Sequence, residues 1–393
     1  MRVPVPTAGR LDVVALCCVT MVLATSTNFL IGTLAPFLVE DAVITVEQIG
    51  LVTATYYVVA IAVSPAGGRF TDVHGPTAGL LALLAIHAVA MLVYASSPGV
   101  LVLSAGAAVG GVAQSLANPS TNGLVVETFP ARGRSFVLGV KQAGVPLASL
   151  LAGAFAPLAA SRFGWRAVCI GVMAFGLTVL LVAQQRLRRR PAGTRVAAAE
   201  APGGPVPAAV RQLNIYALLM GVGTSATTTY VVIHAVDALG FSPARAGALA
   251  AEVGLLGGAV RVVGALSSER GGLPLQSLRW MGLAAAAGAA VVGLAPHVGS
   301  WSVWLGVGLL GGSVLGWQGA GQIAVVGAAG AGRIGSASGM LMRWFFTGQL
   351  VGPVLFGVLL AVTGTYLVPW LLVAALCVAA AAVASRPARE VPA

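Results

Sequence analysis

Four ionisable side chains lie within stretches of this sequence that are otherwise apolar, and they are its best candidates for chemistry. Lys141, in "GVKQAG", is the only lysine among 22 basic residues, and the other three are Glu252, Arg261 and Arg343. A charge exposed to hydrocarbon is costly, so such residues usually face a polar cavity or pair with one another. Cations in such a place can bind an anionic solute, and a carboxylate can accept and release a proton. We therefore predict substrate binding by Lys141 and Arg343, and ion coupling by Glu252.

The depth of each charged residue in its apolar stretch helps to distinguish these roles from a structural role or from a side chain that extends to the membrane surface. Lys141 comes seven residues after Arg134, about 10 Å along a helix, and its long side chain could still extend to the membrane surface. Arg343 comes ten residues after Arg333, about 15 Å along a helix, which is too deep for that alternative. Arg261 lies nearer the end of its apolar stretch, where it could contact the substrate or have a structural role.

Neutral polar side chains recur at helical spacing in similar surroundings. Two pairs of amides lie four residues apart, and this spacing places both members of a pair on one face of a helix. Hydrogen bonds between helices, typically worth under about 2 kcal/mol each, would use such residues equally well, so that alternative stays open. The residues expected to line a polar cavity that binds a small solute are Asn28, Tyr57, Gln114, Asn118, Tyr230, Gln318 and Gln322.

The elements that must position these residues are membrane-spanning helices. Of the 393 residues, 58% are hydrophobic and 8% are charged, with a mean hydropathy of +0.94. Soluble domains are about 25% charged, so water is not the main solvent of this chain. Apolar stretches of about 20 residues, enough to cross a bilayer, recur twelve times at about 11–38, 47–66, 77–96, 99–126, 135–160, 165–185, 213–238, 244–266, 275–295, 300–327, 335–361 and 366–385. The predicted fold is therefore all-α, with twelve transmembrane helices.

The distribution of arginine predicts the orientation of these helices. If the N-terminus is cytoplasmic and twelve helices alternate in direction, the outer side receives only Arg162, Arg166 and Arg245, and the other loop arginines lie inside. This is the positive-inside bias, and it places both termini in the cytoplasm of an inner or plasma membrane. The net charge of +11 then reports orientation, so no nucleic-acid partner is expected.

Catalytic machinery is not expected. The sequence shows no Ser/His/Asp set, phosphate-binding loop or soluble catalytic domain. The four cysteines lie in apolar stretches without metal-ligand spacing, so neither a metal nor a cofactor is predicted. The chain is therefore predicted not to be an enzyme.

The chain divides into two halves with a repeated pattern. A stretch rich in Pro, Gly and Arg predicts a flexible cytoplasmic linker at 186–212, between six-helix halves at 1–185 and 213–393. "GRFTDVHG" follows the second helix and "GALSSERG" the eighth, each with glycine at its first and eighth positions. Repeated six-helix halves are typical of transporters in which the substrate binds near the membrane midplane.

These motifs resemble those of the major facilitator superfamily. "GRFTDVHG" is similar to that family's loop between helices 2 and 3, and "GVKQAGVPLASLLAG" to its Gly-Pro signature in helix 5. "GVKQAGVP" also resembles the branch that contains cyanate and nitroimidazole transporters. The chain departs from the family in lacking an arginine in "SAGAAVGG" of helix 4, and it has Ser268 where the first loop has Asp72.

The resemblance implies a central cavity between the two halves and a set of gating residues. Asp72 would latch the cytoplasmic side closed, and the other gating residues would be Gly68, Gly75, Gly144, Pro146 and Arg261. Glycines at 68 and 75 suit a tight turn and close approach of helices. A plain topology-fixing turn is the alternative to the latch.

The resemblance also implies which helices are neighbours. Helix 5 would border helix 8, so Lys141 is expected to approach Glu252, and helix 2 would border helix 11, so Arg343 is expected to approach Tyr56 or Tyr57. A Lys141–Glu252 pair could be structural, or it could break when substrate or a proton arrives.

The predicted function is secondary transport by alternating access of a small organic anion or polar weak acid. The alternative is a proton-coupled exporter of amphipathic drugs that uses Glu252. The expected partners are the small-molecule substrate, protons and the lipid bilayer, and the protein is expected to be a monomer.

Overall fold

The structure is a computed structural model, and it describes residues 8–188, 207–269, 274–330 and 332–385. The described residues form thirteen α-helices and no strand. Most of the predicted linker and the second loop's Gly271 lie outside the described residues, as does the side chain of Ser268. The helices are α1 (Ala8–Glu40), α2 (Val46–His74), α3 (Pro76–Ala95), α4 (Val100–Thr128), α5 (Ala131–Gln142), α6 (Gly144–Phe163), α7 (Trp165–Arg188), α8 (Ala208–Asp237), α9 (Pro243–Glu269), α10 (Pro274–Val298), α11 (Ser302–Ala329), α12 (Ile334–Thr363) and α13 (Leu367–Ser385).

The helices are long and apolar enough to cross a membrane. Eleven spans satisfy both criteria within the described residues, and one of them, Gly133–Phe163, contains α5 and α6 together. The glycine-rich helix α11 is not among the eleven, but it has 28 residues and no ionisable side chain. With α11 added to the eleven, and α5 and α6 counted as one, there are twelve membrane spans in the described residues. This confirms the predicted all-α membrane fold.

The fifth predicted helix is broken in the structure. A continuous helix was expected at about 135–160, but α5 ends at Gln142 and α6 begins at Gly144, with a turn in which the Ala143 N–H donates to the Val140 carbonyl at 3.0 Å. Pro146 explains the break, because proline has no N–H to donate to the carbonyl four residues earlier. That carbonyl belongs to Gln142.

The described helices group into two compact units. Unit 1 comprises Met1–Val137, Gly144–Pro205 and Ala329–Arg343, and unit 2 comprises Leu138–Ala143, Val206–Ala328 and Trp344–Ala393. Each unit thus includes a short segment from the other half of the sequence: the start of α12 belongs to unit 1, and the end of α5 belongs to unit 2. These two segments contain several of the predicted site residues.

Helices pack closely against one another within each unit. In unit 1, α4 packs against α2 and α3, and α1 packs against α6. In unit 2, α13 packs against α10 and α8. A buried cluster in unit 1 includes Leu30, Tyr56, Met91, Tyr94 and Trp165. Without a hydrophobic drive between helices in lipid, such close van der Waals packing is a main source of their association.

Candidate functional site

The Asp72 carboxylate on α2 binds the first turn of α12 within unit 1. Its Oδ1 accepts from the Gly335 N–H at 2.7 Å, and its Oδ2 accepts from the Ser336 N–H at 2.7 Å and from the Ser336 hydroxyl. The first N–H groups of a helix have no partner within that helix. A carboxylate is also stabilised at the positive end of the helix dipole. Asp72 therefore caps α12 from a helix more than 260 residues away in sequence.

The two glycines of the motif have different roles, and the expected turn lies only at Gly75, because α2 continues through Gly68 to His74. A Cβ at Gly68 would overlap the backbone carbonyl of Gly335, so glycine allows α2 and α12 to touch there. Gly75 has a φ of +88° and forms the turn between α2 and α3. Glycine is thus needed at position 68 for space and at position 75 for the backbone conformation.

A ladder of buried amides on α4 reaches the same segment of α12. Gln114 and Asn118 are 5% and 3% exposed, and Asn122, four residues farther on, is fully buried. The Asn122 amide donates to the hydroxyl of Ser338 at 2.8 Å. Asn122 is not among the residues predicted to line the cavity, although its spacing continues the series Gln114–Asn118 and identifies the same helix face.

Asn28 and Tyr57 come together in unit 1, on α1 and α2. The Asn28 amide nitrogen donates to the Tyr57 hydroxyl at 3.2 Å. The Asn28 Oδ1 accepts no hydrogen bond from the part of the chain that the structure describes, and it is buried. The Tyr57 ring also packs edge-on against Tyr56, with 5.3 Å between the ring centroids.

In unit 2, Arg261 binds the carbonyl that Pro146 deprives of its helical donor. The Arg261 Nη1–H donates to the Gln142 carbonyl at 2.7 Å, and its Nε–H donates to the Leu315 carbonyl on α11 at 2.7 Å. Arg261 is only 1% exposed. A guanidinium is favourable at the C-terminal end of a helix, where carbonyls lack partners and the dipole is negative. Arg261 thus connects the end of α5 to α9 and α11.

Lys141 lies in the last turn of α5 and is fully buried. The carbonyl of the next residue, Gln142, accepts a hydrogen bond from Arg261 of α9. The α9 residue that contacts this end of α5 is therefore a cation. Glu252 lies nine residues earlier on α9, about 14 Å along the helix.

The expected Lys141–Glu252 ion pair is not formed. Glu252 is in no ion pair within the described residues, and its Oε2 is buried without a hydrogen-bond partner there. Its Oε1 faces Gly308 of α11, where an added Cβ would lie 3.0 Å from that oxygen. The family's helix adjacency alone could not indicate which turn of α9 meets the end of α5.

The remaining predicted residues are distributed along other helices. Tyr230 of α8 donates its hydroxyl hydrogen to the Pro353 carbonyl at 3.0 Å and stacks on Phe356, with 4.2 Å between ring centroids. Gln318 and Gln322 are both buried in α11.

Three predicted residues lie at or near the ends of the sequence segments that make up the two units. Arg343 lies on α12 and is exposed. Gly144 begins α6 and lies so close to α1 that an added Cβ would be 2.6 Å from the Cys18 carbonyl oxygen. Pro146 is half-buried in the first turn of α6.

The geometry offers hydrogen-bonding and charged groups inside a set of membrane-spanning helices. Among the described residues, no group of three or more His, Cys, Asp or Glu side chains is placed to hold a metal ion. What the arrangement can do is bind a polar solute, exchange a proton at a carboxylate, and make or break contacts at the starts and ends of helices.

Comparison with known families decides the class of protein. A sequence model described as "Major Facilitator Superfamily" matches residues 16–345. The chain belongs to the major facilitator superfamily. This membership confirms the resemblance inferred from the loop and helix-5 motifs, and it identifies the protein as a transporter and not an enzyme.

Solved structures of the superfamily share this fold. The E. coli fucose:proton symporter matches with a TM-score of 0.75 at 15% identity, covering 97% of this chain and 100% of that one. The human organic anion transporter MFSD10 matches with a TM-score of 0.76 at 17% identity, covering 97% and 100%. At these identities the likeness concerns the fold alone.

A relative in sequence is the hexuronate transporter of Bacillus subtilis (strain 168). It is 24% identical over an alignment of 185 residues that covers 44% of this chain. The match spans 42% of the relative's own length.

Proposed function

We propose that this member of the major facilitator superfamily is a secondary transporter that moves a small organic anion across the cell membrane by alternating access. The observation that carries the proposal is the contact between Asp72 and the first turn of α12. It consists of hydrogen bonds to backbone groups at a helix end, and water can replace these partners when the helix moves away. The contact is thus strong when made and reversible.

The second reversible contact is that of Arg261 with the Gln142 carbonyl. The Pro146 break leaves α5 with an end that a side chain from α9 can bind. We assign Gly68, Asp72, Gly75, Gly144, Pro146 and Arg261 to gating on these grounds. If both contacts break, Arg261 no longer holds residues 138–143 in unit 2, and Asp72 no longer holds residues 329–343 in unit 1.

An organic anion is the substrate class that the buried cations favour. Lys141 is buried at the end of α5, and the cation Arg261 binds the neighbouring carbonyl. The partial relative is a hexuronate transporter, and hexuronates are organic anions. The amides of Gln114 and Asn118, with Asn28, Tyr57, Tyr230, Gln318, Gln322 and Arg343, would complete the substrate contacts.

A proton is the proposed coupling ion, and Glu252 is its carrier. Glu252 is a carboxylate inside a membrane-spanning helix, and its buried Oε2 has no hydrogen-bond partner in the described chain, so it is the group we assign to proton uptake and release. The same observation favours the second candidate, proton-coupled export of amphipathic compounds. For both functions we propose a monomer with cytoplasmic termini.

Uptake into proteoliposomes tests the substrate class. The purified protein should exchange radiolabelled glucuronate, and unlabelled small carboxylates should compete while ethidium should not. Lys141→Met should weaken apparent anion affinity more than Lys141→Arg, since arginine keeps the charge. Competition by ethidium without competition by carboxylates would instead establish the exporter, and exchange of neither would refute both functions for the compounds tested.

A further inference from the structure

A furrow on unit 1 runs between α1, α6 and α7, away from the residues assigned to transport. It consists of two cavities of about 610 and 550 Å³, which meet at Phe175. The first cavity is lined by Leu16 and Val182, among others, and the second by Leu151 and Phe155. All of the helices that form the furrow are long and apolar enough to span a membrane, so its solvent is lipid.

The furrow extends over most of the thickness of a bilayer. Its residues on α1 run from Asp12 to Leu30, and eighteen residues of helix are about 27 Å long. The hydrocarbon core of a bilayer is about 30 Å thick. Phe155 and Phe175 are 61% and 51% exposed in the furrow, so their rings need an apolar occupant.

A single arginine lies at one end of the furrow. Arg186 lines the first cavity and donates from Nη1 to the Asp12 carboxylate at 2.7 Å, and the two side chains are 64% and 48% exposed. A guanidinium has five N–H donors, and this is its one hydrogen bond within the described residues. The remaining donors match the geometry of a phosphate. Three more arginines, Arg188 to Arg190, follow directly in the sequence.

We infer that this furrow binds an anionic diacyl phospholipid. The phosphate binds Arg186 in competition with Asp12, and one acyl chain lies along α1 and α7 toward Phe175. Basic groups at the end of a cleft between transmembrane helices are the usual means of recognising acidic lipid headgroups. The site is separate from the proposed transport pathway, and its test does not depend on the substrate.

Two charge substitutions with opposite expected effects test the headgroup contact. Arg186→Gln should weaken binding of phosphatidylglycerol to the full-length protein about fivefold, the effect of one basic residue near an acidic lipid. Asp12→Asn should strengthen binding, because it removes the competing carboxylate. Native mass spectrometry with phosphatidylglycerol or phosphatidylcholine added in detergent measures both. Arg166→Gln is the matched control, since Arg166 also pairs with an aspartate, Asp41, which directly follows α1, but lines neither cavity.

A role of Arg186 limited to its ion pair with Asp12 predicts a different result. Both substitutions would then break the pair and lower thermal stability alike, with no change in lipid binding, and that outcome would overturn the inference. Equal binding of phosphatidylcholine and phosphatidylglycerol would overturn it as well. Binding of glycerol phosphate as tight as that of the lipid would show a simple anion site, which also contradicts it.

A second pair of variants tests the acyl-chain part of the furrow. Gly171 lines the second cavity, and a Cβ added there has nothing within 4 Å, so the side chain of Gly171→Leu starts in open space and occupies part of the furrow. Gly153→Leu is the control, because that glycine has equally open space but lines neither cavity. Only Gly171→Leu should reduce phosphatidylglycerol binding. If Gly171→Leu instead separates a dimer seen in the same spectra, the occupant is a second copy of the chain and the inference fails.

Discussion

At the scale of single residues, Asp72 has the most demanding environment. Its two carboxylate oxygens accept three hydrogen bonds from two consecutive residues of α12. Hydrogen bonds to a charged group contribute about 1.5–3 kcal/mol to stability, more than neutral ones do. These hydrogen bonds stabilise the start of α12, and we propose that they break during the transport cycle.

We expect Asp72→Asn to open this contact. The amide nitrogen of asparagine cannot accept a hydrogen bond, so one backbone N–H of α12 loses its partner and the favourable charge at the helix end is lost. A loss of about 1.4 kcal/mol raises the open population about tenfold. The reporter is Ser338→Cys, at a position that is fully buried, and its rate of labelling by a membrane-impermeant maleimide should rise accordingly.

Asp12→Asn in the same reporter background is the control. Asp12 is in an exposed ion pair, and such pairs contribute only about 0–1 kcal/mol. Equal labelling rates in the Asp72→Asn variant and the parent would show that Asp72 does not hold this contact.

We expect Gly68→Ala to impair transport through sterics alone. The added methyl group would overlap the carbonyl of Gly335, and neither backbone can yield easily. Overpacking of this kind typically costs about 1–3 kcal/mol. Gly50→Ala is the matched control on the same helix, because a Cβ there has nothing within 4 Å and alanine favours the helix by about 1 kcal/mol. Thermal unfolding and uptake assays should therefore show a loss for Gly68→Ala and none for Gly50→Ala.

At the scale of elements, the break between α5 and α6 determines what lies near Arg261. Pro146 removes the N–H that would bind the Gln142 carbonyl, and this carbonyl then accepts from Arg261. A proline near the start of α6 and an arginine about 115 residues later in the sequence thus both determine how the Gln142 carbonyl is bonded. Neither residue alone explains the arrangement.

A double-mutant cycle tests this dependence. Arg261→Met should destabilise the protein, because a buried carbonyl without a donor costs about 1–3 kcal/mol. In a Pro146→Ala background the alanine N–H can bind the Gln142 carbonyl. Arg261→Met should then cost less, with a coupling energy of about 1 kcal/mol in chemical unfolding.

Pro157→Ala is the control for that cycle. Pro157 lies inside the same helix, α6, but it is not the residue that leaves the Gln142 carbonyl unbonded. The cost of Arg261→Met should be unchanged in the Pro157→Ala background. Equal costs in all three backgrounds would show that Pro146 and Arg261 act independently.

At the scale of the whole molecule, proton coupling gives a prediction about the driving force. If Glu252 carries the proton, uptake of the anion by the parent protein should rise when the side from which it enters is made more acidic. Glu252→Gln should abolish this pH dependence, while exchange of labelled for unlabelled anion at equal concentrations continues. Uptake and exchange in proteoliposomes over a range of pH values measure both. Glu40→Gln, at the exposed end of α1, should leave both unchanged, and a pH dependence retained by Glu252→Gln would exclude this carboxylate as the carrier.

Local properties of the sequence were enough to predict the membrane solvent, the membrane spans and the turn at Gly75. Hydropathy and length decide whether a segment spans a bilayer, and both are local properties. The same holds for Gly75, whose left-handed backbone conformation strongly favours glycine. The broken helix was also within reach, because the proline that breaks it stands in the sequence, and Asn122 continued a spacing that was already recognised.

Contacts between residues far apart in the sequence depend on how the helices pack. Asp72 binds residues 263 and 264 positions later, and Arg261 binds a carbonyl 119 positions earlier. The expected Lys141–Glu252 ion pair does not form. One turn of a helix is about 5.4 Å long, so a difference of one turn in the height at which two neighbouring helices meet is enough to separate two side chains. Knowing that two helices are neighbours leaves their relative height undetermined. That height follows from the packing of many small side chains along the whole helices, and no local pattern in the sequence encodes it.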